Sequence, residues 1–273
     1  MLAGEQSHVR DYWQYHGRKA IQYPIKGIIM MGAHWDVGGR KVHVAANPNP
    51  KPEPVGLVIQ SEWTRQKANT DIQTARRCVQ KLKDAGFEAV LDTEFNWLID
   101  TFPLLSRMFP GGMPPVTIIS LNSYFEPHYH LEIGRCLRPL RKEGYLFIGS
   151  GGGVHNLYRT EWKYNAIYRD NFAQDLPPDA THLEFRQALE DVICKNGGGP
   201  ELKRGVVRLM KHPNYRDAHG TDDHYMATCF VAGVVGEEED RRDKAVLGAE
   251  VWELRNQAET QFCIGDWPNA DES

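Results

Sequence analysis

The chain has 273 residues, 41% of them hydrophobic and 25% charged, with 36 acidic against 32 basic side chains and a net charge of −4. This is the composition of an ordinary globular protein, without the basic surplus of a nucleic-acid binder. No apolar run approaches the roughly 18 residues of a membrane helix, the opening MLAGEQSHVRDYWQ does not read as a secretion signal, and the five scattered cysteines without a C-x-x-C suit reduced thiols in the cytoplasm.

Along the chain, Met1–Tyr23 sets Val9, Tyr12, Trp13 and Ala20 on one helical face. Lys26–Met31 (KGIIMM) is the first buried strand, and it empties into a turn at Gly32–Asp36 (GAHWD) that carries His34 at its mouth. Taken alone, His34 reads equally well as a turn histidine or as a ligand. Val42–Val44 is a short strand and Asn47–Pro54 a proline-rich surface connector. Asn69–Ala85 spaces Ile72, Ala75, Val79 and Leu82 as an amphipathic helix that Gly86 closes, and Phe87–Leu91 is the next strand of a parallel sheet. Phe95–Pro110 (FNWLIDTFPLLSRMFP) is an apolar, aromatic patch around Asp100, either core or the wall of a pocket for a flat apolar substrate.

The stretch Pro115–Leu157 organises the rest. Val116–Leu121 and Tyr145–Ile148 are strands, and Leu131–Arg141 between them is a helix stopped by Gly144. Strand, helix and strand at this spacing form a βαβ unit with parallel strands, and ligands of such sheets lie beyond the strands' carboxyl ends. His128, His130 and His155 fall there. The loop Gly149-Ser150-Gly151-Gly152-Gly153 lacks the dinucleotide spacing and is followed by no Walker lysine, so close backbone approach explains it better than phosphate binding. Further on, Leu183–Cys194 and Leu202–His212 read as helices. His219–Ala227 opens an apolar element through Phe230–Val235, Glu237–Lys244 is a solvated turn, Val251–Cys263 is the closing strand, and Pro268–Ser273 is a frayed tail. No repeat or linker divides the chain, which reads as one domain over residues 1–273.

His34, His155 and His224 each sit at the end of an apolar strand or the start of an element. Imidazoles brought from separate elements to one face are how a protein builds an open, catalytic metal site.

Four motifs carry a specific likeness: GAHWD at Gly32–Asp36, HLEIG at His130–Gly134, LRPLRKEGYLFIGSGGGVHNL at Leu137–Leu157, and DDHYMATCFVAG at Asp222–Gly233. With them the chain resembles the LigB-type class III extradiol ring-cleavage dioxygenases, within them the small single-subunit DOPA 4,5-dioxygenase branch, from about residue 26 to 235. The resemblance implies an α/β fold, a single domain with a mixed, largely parallel central sheet flanked by helices. It implies insertion of both atoms of O2 into a catechol-type aromatic diol at non-haem Fe(II), with Zn(II) able to take the same site. It also implies metal ligation by His34 and His224, with His155 at or beside the metal as the catalytic acid–base residue. His130 is implied as a catalytic donor to substrate or oxygen.

The sequence departs from that family twice. It has no strand ending in a histidine-glycine turn ahead of His34, which leaves His8 or His16 as the only alternatives to an absent third ligand. The loss of such a strand would expose a sheet edge beside Lys26–Met31, through which copies of the chain could associate or which Met1–Tyr23 could cover. The family's Asp-His-Gly is also replaced by Glu94-Phe95-Asn96-Trp97-Leu98. Three functions stay open: an extradiol dioxygenase with weakened metal binding, a non-catalytic paralogue that keeps the fold as a binding module, and a metal-dependent hydrolase.

Overall fold

The apolar run after Lys26 forms the central strand of the protein. A computed structural model describes residues 7–55, 63–64 and 66–267. In it β1 (Gly27–Val37), β2 (Lys41–Ala45), β3 (Glu88–Asp92), β4 (Val116–Asn122) and β5 (Tyr145–Ser150) make a sheet of order β3-β2-β4-β1-β5. β4, β1 and β5 run parallel, whereas β2 and β3 are parallel to each other and antiparallel to β4. The expected fold class, a mixed and largely parallel α/β sheet, is therefore the one observed.

One local expectation holds and two change. The strands of the Pro115–Leu157 unit are parallel but not neighbours, because β1 lies between them. With β1 paired on both sides, no open edge lies beside Lys26–Met31. The expected turn at Gly32–Asp36 is instead strand, since β1 continues to Val37 across a register shift between Met31 and Asp36.

Alternation along β1 feeds two cores. Ile29 and Met31 face one apolar cluster with α2 (Ile72–Asp84), α4 (Pro127–Leu137), α7 (Ala180–Asn196), α8 (Pro200–Leu209) and α10 (Asp223–Val234). Ile28 and Met30 face the other, with α1 (His8–Gln22), α3 (Phe102–Met108) and Trp97. Each of these buried side chains contributes about 1.5–3 kcal/mol relative to exposure. The patch around Asp100 is mostly core, with Trp97, Phe102, Leu105 and Phe109 wholly buried.

The helices start where their caps dictate. Asp71 accepts from the Thr74 amide at the head of α2, and Glu126 accepts from the His128 and Tyr129 amides ahead of Pro127. That cap starts α4 before Leu131, and Pro139 begins a separate short turn, α5 (Pro139–Lys142). The segment after the glycine loop holds α6 (Lys163–Tyr168), and α9 (Tyr215–Ala218) precedes α10.

Two more readings are corrected near the end of the chain. Val251–Cys263 is not one strand but parts of a hairpin, β6 (Ala245–Glu253) and β7 (Gln257–Ile264), turned through Leu254 and Arg255 at φ 49° and 67°. Glu237–Lys244 is not simply solvated, because Asp240 is buried and accepts from Arg138 Nε and Nη2, each at 2.8 Å, with Arg141 beside it. The tail Pro268–Ser273 lies outside the described residues.

Candidate functional site

His34 stands near the carboxyl end of β1. Its backbone N–H donates to Asp100 Oδ2 at 2.9 Å, and its ring Nδ1 lies 3.4 Å from the same oxygen. Asp100 reaches this position over Gly32, where a Cβ would fall 2.1 Å from Oδ2. The carboxylate is nearly buried, and Oδ1 has no partner among the described residues. Burial works against a charge on the His34 ring, but the hydrogen bond and charge of Asp100 outweigh it, with Asp223 and Glu259 adding to the effect, and the pKa is raised.

His224, one residue into α10, meets His34 edge-on with ring centroids 5.1 Å apart. The glycine loop decides how close α10 comes to β5: a Cβ on Gly151 would fall 2.2 Å from the carbonyl oxygen of His224. That contact is the physical use of the loop, as close backbone approach predicts. From the same loop, the Gly152 N–H donates to Nδ1 of His224 at 2.9 Å.

His155 lies flat on His224, with ring centroids 3.4 Å apart and planes 7° from parallel. Its backbone bridges to His219, and its N–H donates to the Ala218 carbonyl. The Nδ1 atoms of His155 and His219 are both buried without a partner among the described residues. Burial lowers the pKa of His155 to about 4 and that of His224 well below its ordinary value, so both rings are neutral at physiological pH.

The other sequence candidates lie elsewhere. His130 is wholly buried, with Nε2 accepting from the Asn122 amide at 3.0 Å and Nδ1 against the Glu126 carbonyl at 2.8 Å. Both nitrogens are thus occupied by backbone, and neither is left for substrate or oxygen. His128 is in the first turn of α4, its amide on the Glu126 cap. On α1, His16 accepts from the Trp267 indole at 3.0 Å, and His8 lines a surface groove of about 480 Å³ with Tyr12 and Tyr15.

Asp100, Asp223 and Glu259 were not singled out as site residues in the sequence. A carboxylate inside an apolar run has to find a partner, which was the available signal for Asp100. No such signal marks Glu259 on β7, whose pKa burial raises to about 7, with Glu253 adding to the shift.

Comparison with known proteins adds to this geometry. No family model matches the chain. It is 27% identical over 256 residues to "4,5-DOPA dioxygenase extradiol" of Portulaca grandiflora, covering 93% of this chain and 87% of that protein. Identity to the protein of the same name from Escherichia coli is 26%, over 76% of this chain and 72% of the other. To "Dioxygenase tasH" of Hapsidospora irregularis it is 27%, over 83% and 70%. The chain is similar to proteins named extradiol dioxygenases. Its fold matches the crystal structure of an uncharacterized Escherichia coli protein, JW3007, with a TM-score of 0.71 and 22% identity over 95% of this chain and 93% of that one.

Extradiol dioxygenases imply a non-haem metal, and the donor set here does not fit a three-ligand centre. Among the described residues no three His, Cys, Asp or Glu side chains are placed to hold one ion, and neither His8 nor His16 completes such a group with His34 and His224. A metal-bound histidine ordinarily donates its second ring N–H to a carboxylate, carbonyl or water. His34 beside Asp100 has that environment. In His224 the second nitrogen is an acceptor instead, its lone pair already taken by Gly152.

Proposed function

We propose that the chain binds a catechol-type aromatic diol at the cluster of His34, His155 and His224, and that it is a ring-cleaving dioxygenase whose divalent metal, Fe(II) or Zn(II), is held weakly. The observation that carries the reading is the contact of three imidazoles from β1, the loop after β5 and α10, on the positions where the extradiol motifs fall. A divalent metal, if held there, would supply the oxygen chemistry. The chain's own residues orient the diol and handle its proton: a neutral His155, poor in competing partners, accepts from a phenol O–H, and His224 beneath it keeps the ring in place. His130 is a positioning residue that ties the head of α4 to the end of β4.

The incomplete donor set favours one second reading, a binding module that takes the diol and does not turn it over. A cytoplasmic location is part of this reading, supported by five scattered cysteines without a C-x-x-C, and no helix among the described residues is long and apolar enough to cross a membrane.

Oxygen uptake with 4-methylcatechol after anaerobic Fe(II) loading tests the proposal. Uptake with appearance of a ring-opened product, reduced roughly 100- to 10,000-fold in His155→Gln, is the expected result. Diol binding without uptake selects the binding module, and absence of both overturns the aromatic-diol reading.

A further inference from the structure

The hydrogen bond between Gly152 and His224 bears on how a ligand is held. A backbone N–H can only donate, so Nδ1 of His224 is the acceptor and carries the lone pair. With Nδ1 holding the lone pair, the ring's single proton is on Nε2. A neutral imidazole has one lone pair to give, and here a buried backbone amide uses it. Coordination through Nε2 would require that proton to move to Nδ1, where it would face the Gly152 N–H, and coordination through Nδ1 would leave the Gly152 amide without an acceptor. Either change strands a buried N–H without an acceptor.

His155 supplies the second observation. Its Nδ1 is buried with no partner among the described residues, which is an expensive arrangement unless a ligand or water completes it. Across the cluster, His34 is steadied from the other side by Asp100, with Nδ1 at 3.4 Å, which turns Nε2 away from the carboxylate. The three rings together offer one fixed N–H and nitrogen lone pairs. Each of two vicinal phenol hydroxyls can donate once and accept as well, so an aromatic diol matches this set without an intervening ion.

We infer that the chain holds an aromatic diol directly among His34, His155 and His224 by hydrogen bonds, with His224 donating from Nε2 and ligating no metal. This rests on the proposed reading that the ligand is an aromatic diol. It goes beyond that reading in making diol binding independent of the ion.

The test uses full-length protein stripped with EDTA and kept anaerobic, titrated calorimetrically with 4-methylcatechol. The metal-free protein should bind, and added Fe(II) or Zn(II) should change the affinity by less than about threefold. His224→Leu should weaken binding by about tenfold, the equivalent of one hydrogen bond of about 1.4 kcal/mol, while His224→Gln, which restores an N–H donor, should recover most of it. Imidazole 15N shifts should report His224 as the Nε2–H tautomer and should not move on addition of Zn(II), a readout that does not depend on the variants folding. Binding that appears only after a metal is added, with a metal-dependent shift of His224, overturns the inference and leaves the aromatic-diol reading standing. Failure of both metal-free and metal-loaded protein to bind overturns both.

Discussion

The backbone N–H of Gly152 donates to Nδ1 of His224 across 2.9 Å, joining residues 72 positions apart. It is made possible by the glycine next to it, because a side chain on Gly151 would occupy the place of the His224 carbonyl. One loop thus sets both how near α10 stands to β5 and which nitrogen of His224 carries the proton.

Gly151→Ala should therefore act on fold and site together. A Cβ 2.2 Å from a backbone oxygen cannot be relieved by a side-chain rotation, so α10 must shift. The expected loss is about 1–3 kcal/mol of stability by urea denaturation, with weaker 4-methylcatechol binding. A variant as stable as the parent, with unchanged binding, would mean that the close approach is not required.

Asp100 should govern His34. It is the partner that outweighs burial and raises the ring's pKa, so Asp100→Asn should lower that pKa, as followed by imidazole NMR. For a group whose folded pKa is raised, the stabilisation is present below the unfolded pKa and disappears as pH rises through the folded value. The stability gap between parent and variant should accordingly narrow as the pH is raised above the His34 pKa. Diol affinity should fall about tenfold, as is usual when the partner of a site histidine is lost. An unchanged titration of His34 would disprove the pairing.

His130 should make the protein acid-sensitive. Burial holds its pKa down at about 4 against an ordinary 6.5, so the unfolded chain takes up the proton first as pH falls. Stability from this group is complete above about pH 6.5 and declines between 6.5 and 4, by about 3 kcal/mol in all. His130→Leu should cost about 1–3 kcal/mol at pH 7.5 because the Asn122 amide loses its acceptor. The variant should also lose stability less steeply over that acid range, as measured by thermal unfolding at several pH values. Parallel pH profiles would rule His130 out as the source.

The metal content of the purified protein should be low. With no three described donors placed around one ion, and the lone pair of His224 engaged, dialysis should leave well under one Fe or Zn per chain by elemental analysis. His34→Ala should remove what remains, while His224→Gln should change it little. Stoichiometric metal that survives dialysis in the parent and is lost in His224→Gln would contradict the hydrogen-bonding role of His224.

Much of the fold is legible in the residues because it depends on local pattern. The unbroken apolar run within Lys26–Met31 and the β-branched run Val116–Leu121 specify buried strands wherever they lie in the sheet. The apolar spacing of Ile72, Ala75, Val79 and Leu82 similarly specifies a helix face. Strand order is another matter. That β1 inserts between β4 and β5, and that β2 and β3 run against them, follows from long-range pairing that no local pattern records. The hairpin of β6 and β7 was hidden for a related reason: its turn uses Leu254 and Arg255 at positive φ, residues that do not advertise a turn.

The motifs likewise name His34, His155 and His224, each at the end of an apolar strand or the start of an element. What the sequence alone determined is the identity of those three side chains and the elements that carry them. Their chemical states were decided only by the tertiary structure. Asp100 charges the surroundings of His34 from 66 residues away, Gly152 fixes the proton of His224 from across the sheet, and two backbone groups use both nitrogens of His130. A histidine's role depends on what its two nitrogens meet, and those partners are set by packing between distant segments.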